Sequence, residues 1–300
     1  MMYSALRRTM EKVKLWNELR SPGGGSLREY WFDRAALDPK GRRPGLSGYM
    51  RLRNEADFVG QAIAAILPFL DELVIVYNNC SDETPAIAEG FRRSFPDKVK
   101  VYEYAPRVYH QSSAEYHDLP AESPNSFVNQ SNYALSKTTC RWAVKIDGDQ
   151  VVIPELFGRA VAHIRKNGLA KYVLFKGVNL WDHAGKVYVN GNYPLCGLGD
   201  IGFFPVSPAT RYIFTHRYGV FAHRLKMEWA GVLFFHLKGM KRDRGTGNYE
   251  LEKYPRSRYH KFVKDVYTAP RLLEWEEFKR AEPEAARLPF PESLGIKPLR

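Results

Sequence analysis

From Gly45 to about Lys166 the chain alternates short apolar runs with helical stretches, and that alternation narrows the fold more than any other feature. Residues 46–52 predict a first strand. Within 57–70, Phe58, Ala62 and Ile66 form one row and Val59, Ile63 and Leu67 the next, the i, i+4 spacing of an amphipathic helix. Residues 73–77 are an apolar run of the kind that a parallel sheet buries on both faces. Thr84-Pro85 predicts a cap followed by a first-turn proline, opening a helix that runs to about Phe95. Strands are expected at 99–104 and 142–146, helices at 127–137 and 154–166, and a polar loop at 105–124. Repeated strand–helix–strand units with right-handed crossovers give an α/β domain on a mostly parallel sheet.

After Tyr172 the character changes. Residues 172–180 and 186–189 flank an Asp182-His-Ala-Gly185 turn, a hairpin signal. Short strands are expected at 201–206, 211–215 and 231–237, and a last helix at 272–281. Upstream, residues 1–20 place Tyr3, Leu6, Met10, Val13 and Trp16 on one helical face, ahead of the flexible joint Ser21-Pro-Gly-Gly-Gly-Ser26. The chain therefore divides into an N-terminal amphipathic helix and linker (1–44), an α/β half (45–165) and a mixed β/α half with a basic C-terminal region (166–300).

Of the 300 residues, 45 are Lys or Arg and 33 Asp or Glu, a net charge of +12. Such a balance calls for an anionic partner: nucleic acid, a membrane surface or phosphorylated small molecules. Residues 224–264 hold eleven Lys and Arg against four acids, with Tyr249, Tyr254 and Tyr259 interleaved. This stretch is either a grip for an anionic acceptor or lipid headgroups, or a solvated face. No RNA-recognition, zinc-finger or helix-turn-helix signature accompanies the charge, which makes nucleic acid the weaker choice. No window of eighteen apolar residues exists, and the N-terminus lacks the apolar block of a signal peptide. Three cysteines, Cys80, Cys140 and Cys196, are too few and too irregular for a disulfide framework. The expectation is a cytoplasmic protein with peripheral contact at the inner face of the membrane.

Three polar strand ends carry the chemistry. Lys145-Ile-Asp147-Gly-Asp149 delivers two carboxylates beyond an apolar strand, where open α/β sheets bind ligands. Hard divalent cations take oxygen ligands and retain waters and substrate phosphates, so this turn is a candidate Mg²⁺ or Mn²⁺ site. Asp-Gly-Asp is also an ordinary turn sequence. Arg51-Leu-Arg53-Asn54-Glu55 and Asn78-Asn-Cys-Ser-Asp82-Glu-Thr84 end the first two strands on the same edge. Their amides and acids suit a base and ribose, with helix capping as the structural alternative.

Asn54-Glu55, then Tyr77-Asn-Asn-Cys-Ser-Asp82-Glu-Thr84, then Asp147-Gly-Asp149 resemble, in order and spacing, the motifs of the GT-A glycosyltransferases, family 2 in particular. The resemblance spans about residues 45–165. Tyr77 departs from it, standing where family members often carry an aspartate. It implies a GT-A-like, mostly parallel sheet flanked by helices, with a mixed β/α acceptor half. The implied reaction is metal-dependent transfer of a sugar from a nucleotide-sugar donor to a glycan or lipid-linked acceptor, in surface polysaccharide or lipopolysaccharide synthesis. The metal ligands it implies are Asp147, Asp149 and a later histidine, for which His236 in Phe234-Phe-His-Leu-Lys238 fits. Donor contacts would come from Arg53, Asn54, Glu55, Asn78, Asp82, Asn132, Lys145, Asp147 and Lys238. An inverting transfer needs a base, for which Asp200, between glycines, stands first, with Glu228 and Asp182 as rivals and a turn acid as the structural alternative for Asp182. The competing readings are a nucleotidyltransferase on a similar sheet and a non-catalytic basic module that binds nucleic acid or membrane. A nucleotidyltransferase usually shows a Gly-rich first loop, which Arg51-Leu-Arg-Asn54 is not.

Overall fold

The computed structural model describes residues 27–109, 113, 115–116, 119–120, 123–197, 201–214, 219–246 and 270–299. The expected helix over 1–20, Asp200 and the interleaved tyrosines of the basic stretch lie outside these residues. The first half alternates as its sequence predicts: β1 (Arg43–Leu52), α1 (Val59–Ile66), β2 (Glu72–Tyr77), α2 (Thr84–Ser94), β3 (Val99–Glu103), α3 (Phe127–Ser136), β4 (Cys140–Lys145), β5 (Gln150–Val152) and α4 (Pro154–Asn167). Helix α1 is shorter than its periodicity, because Pro68 turns its end into a 3₁₀ turn over Leu67–Phe69. Thr84 is the first helical residue of α2 rather than its cap. Glu83 stands at the cap position without a side-chain cap bond, and Asp82, one residue before it, accepts from the Thr84 backbone N–H through Oδ1 at 3.1 Å.

The second half is strand-rich: β6 (Tyr172–His183), β7 (Lys186–Asn190), β8 (Leu195–Cys196), β9 (Gly202–Pro205), β10 (Arg211–Phe214), β11 (Gly219–Ala222), β12 (Met227–Gly239) and β13 (Leu272–Leu273), closed by α5 (Trp275–Ala281). The sequence points to β6, β7, β9 and β10; β5 and β11 carry no readable signal, and β12 is nearly twice its expected length.

Strands β3, β2, β1 and β4 lie side by side and parallel. Antiparallel β9 joins β4 to β6, so one sheet runs from the first half into the second. Strand β6 is parallel to β4 and is flanked on its other side by parallel β12, which in turn takes antiparallel β5. Alternation decides the two faces. Leu46, Met50, Leu73 and Ile75 face α1 and α4, packing with Ile63, Ile66, Phe157 and Val161. Tyr49, Val74 and Val76 face α3, packing with Val128, Ala134 and Leu135. A third cluster beneath β6 and β12 joins Val178, Leu180, Phe235 and Leu237 to Trp275 and Phe278 of α5. All three cysteines are free thiols. No helix among the described residues is long and apolar enough to cross a membrane.

Candidate active site at the strand tips

The carboxyl ends of β1, β2 and β4 share one edge, as parallel pairing requires, and each ends in a polar loop. Gly148 lets two of these loops touch: a Cβ there would lie 2.8 Å from the side-chain Cβ and Cγ of Glu55 and 2.8 Å from Leu52. The turn then feeds directly into β5. Because β5 pairs with β12, and β12 with β6, His236 lies opposite Gln150 on one side and Asn179 on the other. Residues nearly ninety positions apart thus meet. His236 Nε2 is 3.4 Å from Asp149 Oδ1, and the Leu237 backbone N–H donates to the Asp149 carbonyl at 2.8 Å.

Three lysines surround the acids. Lys145, buried at the end of β4, donates to Asp147 Oδ2 at 2.8 Å. Lys241, buried in the turn after β12, donates to Glu55 Oε2 at 2.8 Å. Lys238 reaches the same acids electrostatically, and its stem runs against Gly245, whose φ is +65°. Arg242 adds a second tie, with its backbone N–H 2.9 Å and its Nη1 3.3 Å from the Asp57 carboxylate. The turn after β12 is therefore latched onto the loop after β1.

This clustering moves protons. Burial opposes charge on Asp149, but His236, Lys241 and Lys238 outweigh it and hold the carboxyl well below the ordinary range. Burial likewise opposes the His236 imidazolium, and Asp149 with Cys196 raises it instead to about 10. Burial lowers Lys238 to about 8, partly offset by Asp149. Burial and the neighbouring Asp149 push Glu55 up to about 8, while Asp149 and Glu55 overcome the burial of Lys241 and raise it. Strongly shifted groups collected at a strand edge make this the candidate functional site.

The structure brings together Glu55, Lys145, Asp147, Asp149, His236 and Lys238 from the sequence-derived set, with Arg53 part-buried at the end of β1. Other members of that set serve the scaffold. Asn54, at φ +52°, accepts from the Ser81 backbone N–H at 2.8 Å. Asn78 is buried and donates to the carbonyls of Tyr104 and Pro106. Asp82 accepts from the Ala56 and Thr84 backbones. Asn132, on the far side of the sheet from α1, exchanges both amide groups with the Tyr212 backbone and pins β10 to α3. Glu228 does not join the site. It lies opposite Val173 where His236 lies opposite Asn179, six residues apart on β6 and so about 20 Å away at some 3.3 Å per residue, and is exposed and paired with Lys171. Asp200 is outside the described residues. Sequence reasoning missed Lys241 and Asn179. For Asn179 the available signal was a lone amide inside an apolar strand, since a buried polar group needs partners.

The donor set suits a hard divalent cation in part. Asp149 and His236 present an oxygen and a nitrogen 3.4 Å apart, a spacing two ligands of one ion can share, and such ions complete their shell with water and phosphate. Asp147 is turned to Lys145, and no three His, Cys, Asp or Glu among the described residues form a cage.

A family model described as Beta-1,4-N-acetylgalactosaminyltransferase (CgtA) matches residues 11–180, more than half of the chain. No curated protein matches it. Among solved structures, S. aureus TarS 1-349 is similar at 14% identity over 64% of this chain and 60% of that one, with a TM-score of 0.39. The glucosyl-3-phosphoglycerate synthase from Mycobacterium tuberculosis, in complex with Mn²⁺, uridine-diphosphate and phosphoglyceric acid, is similar at 19% identity over 48% of this chain and 47% of that one, with a TM-score of 0.30. The chain spans less than two thirds of the length of either structure.

Proposed function

The chain belongs to the β-1,4-N-acetylgalactosaminyltransferase (CgtA) family, and from that premise we propose that it moves N-acetylgalactosamine or a related sugar from a nucleotide-sugar donor to a hydroxyl of a glycan or lipid-linked acceptor. The observation that carries this reading is the meeting of Asp149, His236, Lys238 and Lys241 at the edge where β4 and β12 end. When the glycosidic bond breaks, the leaving nucleoside diphosphate gains negative charge, and a site of buried ammonium groups favours that charge most in the transition state. Lys238 and Lys241 supply it from the β12 turn, and Arg53 from the end of β1. Asp149 and His236 would hold a Mg²⁺ or Mn²⁺ ion, which adds positive charge to the departing phosphates. Asp147, steadied by Lys145, faces a ribose or sugar hydroxyl. Forming a β linkage from an α-linked donor inverts the anomeric carbon, so the acceptor hydroxyl must lose its proton to a base; Asp200 is proposed for it. The net charge of +12 fits an anionic glycan or lipid headgroup as acceptor, at the membrane surface and in surface polysaccharide or lipopolysaccharide synthesis.

The test is a panel of nucleotide sugars, UDP-N-acetylgalactosamine first, assayed for nucleotide release with Mn²⁺ or Mg²⁺ and with EDTA, on neutral and acidic acceptors. Metal-dependent release from one donor supports the reading. Failure of every donor, or full activity in Asp149→Ala, overturns it.

A further inference from the structure

His236 is held from behind as well as facing Asp149. Its Nδ1 lies 2.6 Å from Oδ1 of Asn179, its register partner on β6. The Asn179 amide has one possible orientation, because its Nδ2 donates to the Tyr193 carbonyl at 2.7 Å and a carbonyl only accepts. Oxygen therefore faces the imidazole, and His236 Nδ1 must carry the hydrogen that bridges them. That leaves Nε2 as the ring nitrogen on the Asp149 side, 3.4 Å from its Oδ1. Asn179 is buried, 9% exposed, and its own backbone N–H donates to the Pro194 carbonyl at 2.9 Å, so the residue is fixed at three points.

We infer that Asn179 is a positioning residue that sets the tautomer and ring orientation of His236, so that Nε2 and Asp149 present a preformed pair of ligands to a divalent cation. This rests on the proposed cation-binding role of His236. A buried amide suits the task better than water, because it cannot rotate to donate to Nδ1 without losing the Tyr193 carbonyl. Hydrogen-bond partners behind a metal-bound imidazole typically change metal affinity by about 10–100-fold when removed.

The experiment titrates MnCl₂ into the metal-stripped full chain and follows free Mn²⁺ by electron paramagnetic resonance, with thermal melts confirming that each variant is folded. His236→Ala and Asn179→Leu should each weaken Mn²⁺ binding about 10–100-fold. Asn179→Asp, which keeps an acceptor for Nδ1, should recover most of the loss. In a His236→Ala background, Asn179→Leu should add little. If His236→Ala weakens binding and Asn179→Leu does not, or if Asn179→Leu costs as much without the histidine as with it, the positioning role is wrong while the ligand role of His236 stands. If His236→Ala leaves Mn²⁺ affinity unchanged, the ligand role fails and the inference falls with it. The unaltered chain gives a second readout that needs no variant: with Mg²⁺ added, nitrogen–proton correlation of the His236 ring should show hydrogen on Nδ1, and hydrogen on Nε2 alone would overturn the inference.

Discussion

Asp149 faces three cationic side chains in a place where water is scarce, and its charge is worth more there than at the surface. A unit charge pair 4 Å apart contributes about 4 kcal/mol at an effective dielectric of about 20, against about 1 kcal/mol in water. Removing the carboxylate leaves His236, Lys238 and Lys241 repelling one another with nothing to bind a cation. Asp149→Ala is expected to lower transfer by at least about 10²–10³-fold, measured as kcat/KM with the donor varied. The Lys241–Glu55 pair gives a stability prediction at the same scale. Lys241→Met takes the hydrogen-bond donor from the buried Glu55 carboxyl, and urea unfolding should show a loss of about 1–3 kcal/mol; adding Glu55→Gln should restore part of it, and a strictly additive double variant would show that the pair does not interact. Asp147 and Asp149 are legible in the sequence because a strand end and a turn announce them locally. Asn179 and Lys241 are not, because only the β6–β12 register and the fold of the following turn carry them to the site.

Among the elements, the turn between β4 and β5 lies close against the loop after β1. A methyl group on Gly148 would strike both Glu55 and Leu52, so the turn must retreat from the loop after β1. Gly148→Ala should keep the fold, by circular dichroism, yet raise the donor KM or lower kcat about tenfold or more, since a misplacement of about 1 Å can cost 10²-fold. Unchanged kinetics would mean that the contact of the two loops does not shape the site. Strand β5 escapes sequence reading because three residues directly after a turn show no periodicity. Strand β12 is read short because its first residues, Met227, Glu228 and Trp229, are exposed and break the apolar run that begins near Val232. The longer strands and helices of the first half are legible because they are buried on two faces or on one regular stripe.

Across the whole molecule, stability and chemistry occupy opposite ends of the sheet. Glu72, at the start of β2, is buried and accepts from Ser47 Oγ at 2.5 Å, Lys100 Nζ at 2.9 Å and Thr139 Oγ1 at 2.9 Å, as well as from the Thr139 backbone N–H. Burial works against its charge, but these donors outweigh it and lower its carboxyl from 4.5 to about 2. A depressed carboxyl stabilises the fold above its unfolded value and ceases to do so as the pH falls through its folded one. The gap in unfolding free energy between the wild-type chain and Glu72→Gln, about 2–3 kcal/mol near neutrality, should shrink between pH 5 and pH 2. A gap that stays constant over that range would remove Glu72 from the acid response. At the other end, the central claim is that the strand tips bind a nucleotide diphosphate through a cation held by Asp149. Calorimetric titration of UDP into the full chain, with Mn²⁺ and then with EDTA, tests it most directly. Binding should tighten at least about tenfold with Mn²⁺ in the wild-type chain and lose that gain in Asp149→Ala; equal affinity with and without the ion, in both proteins, would contradict it.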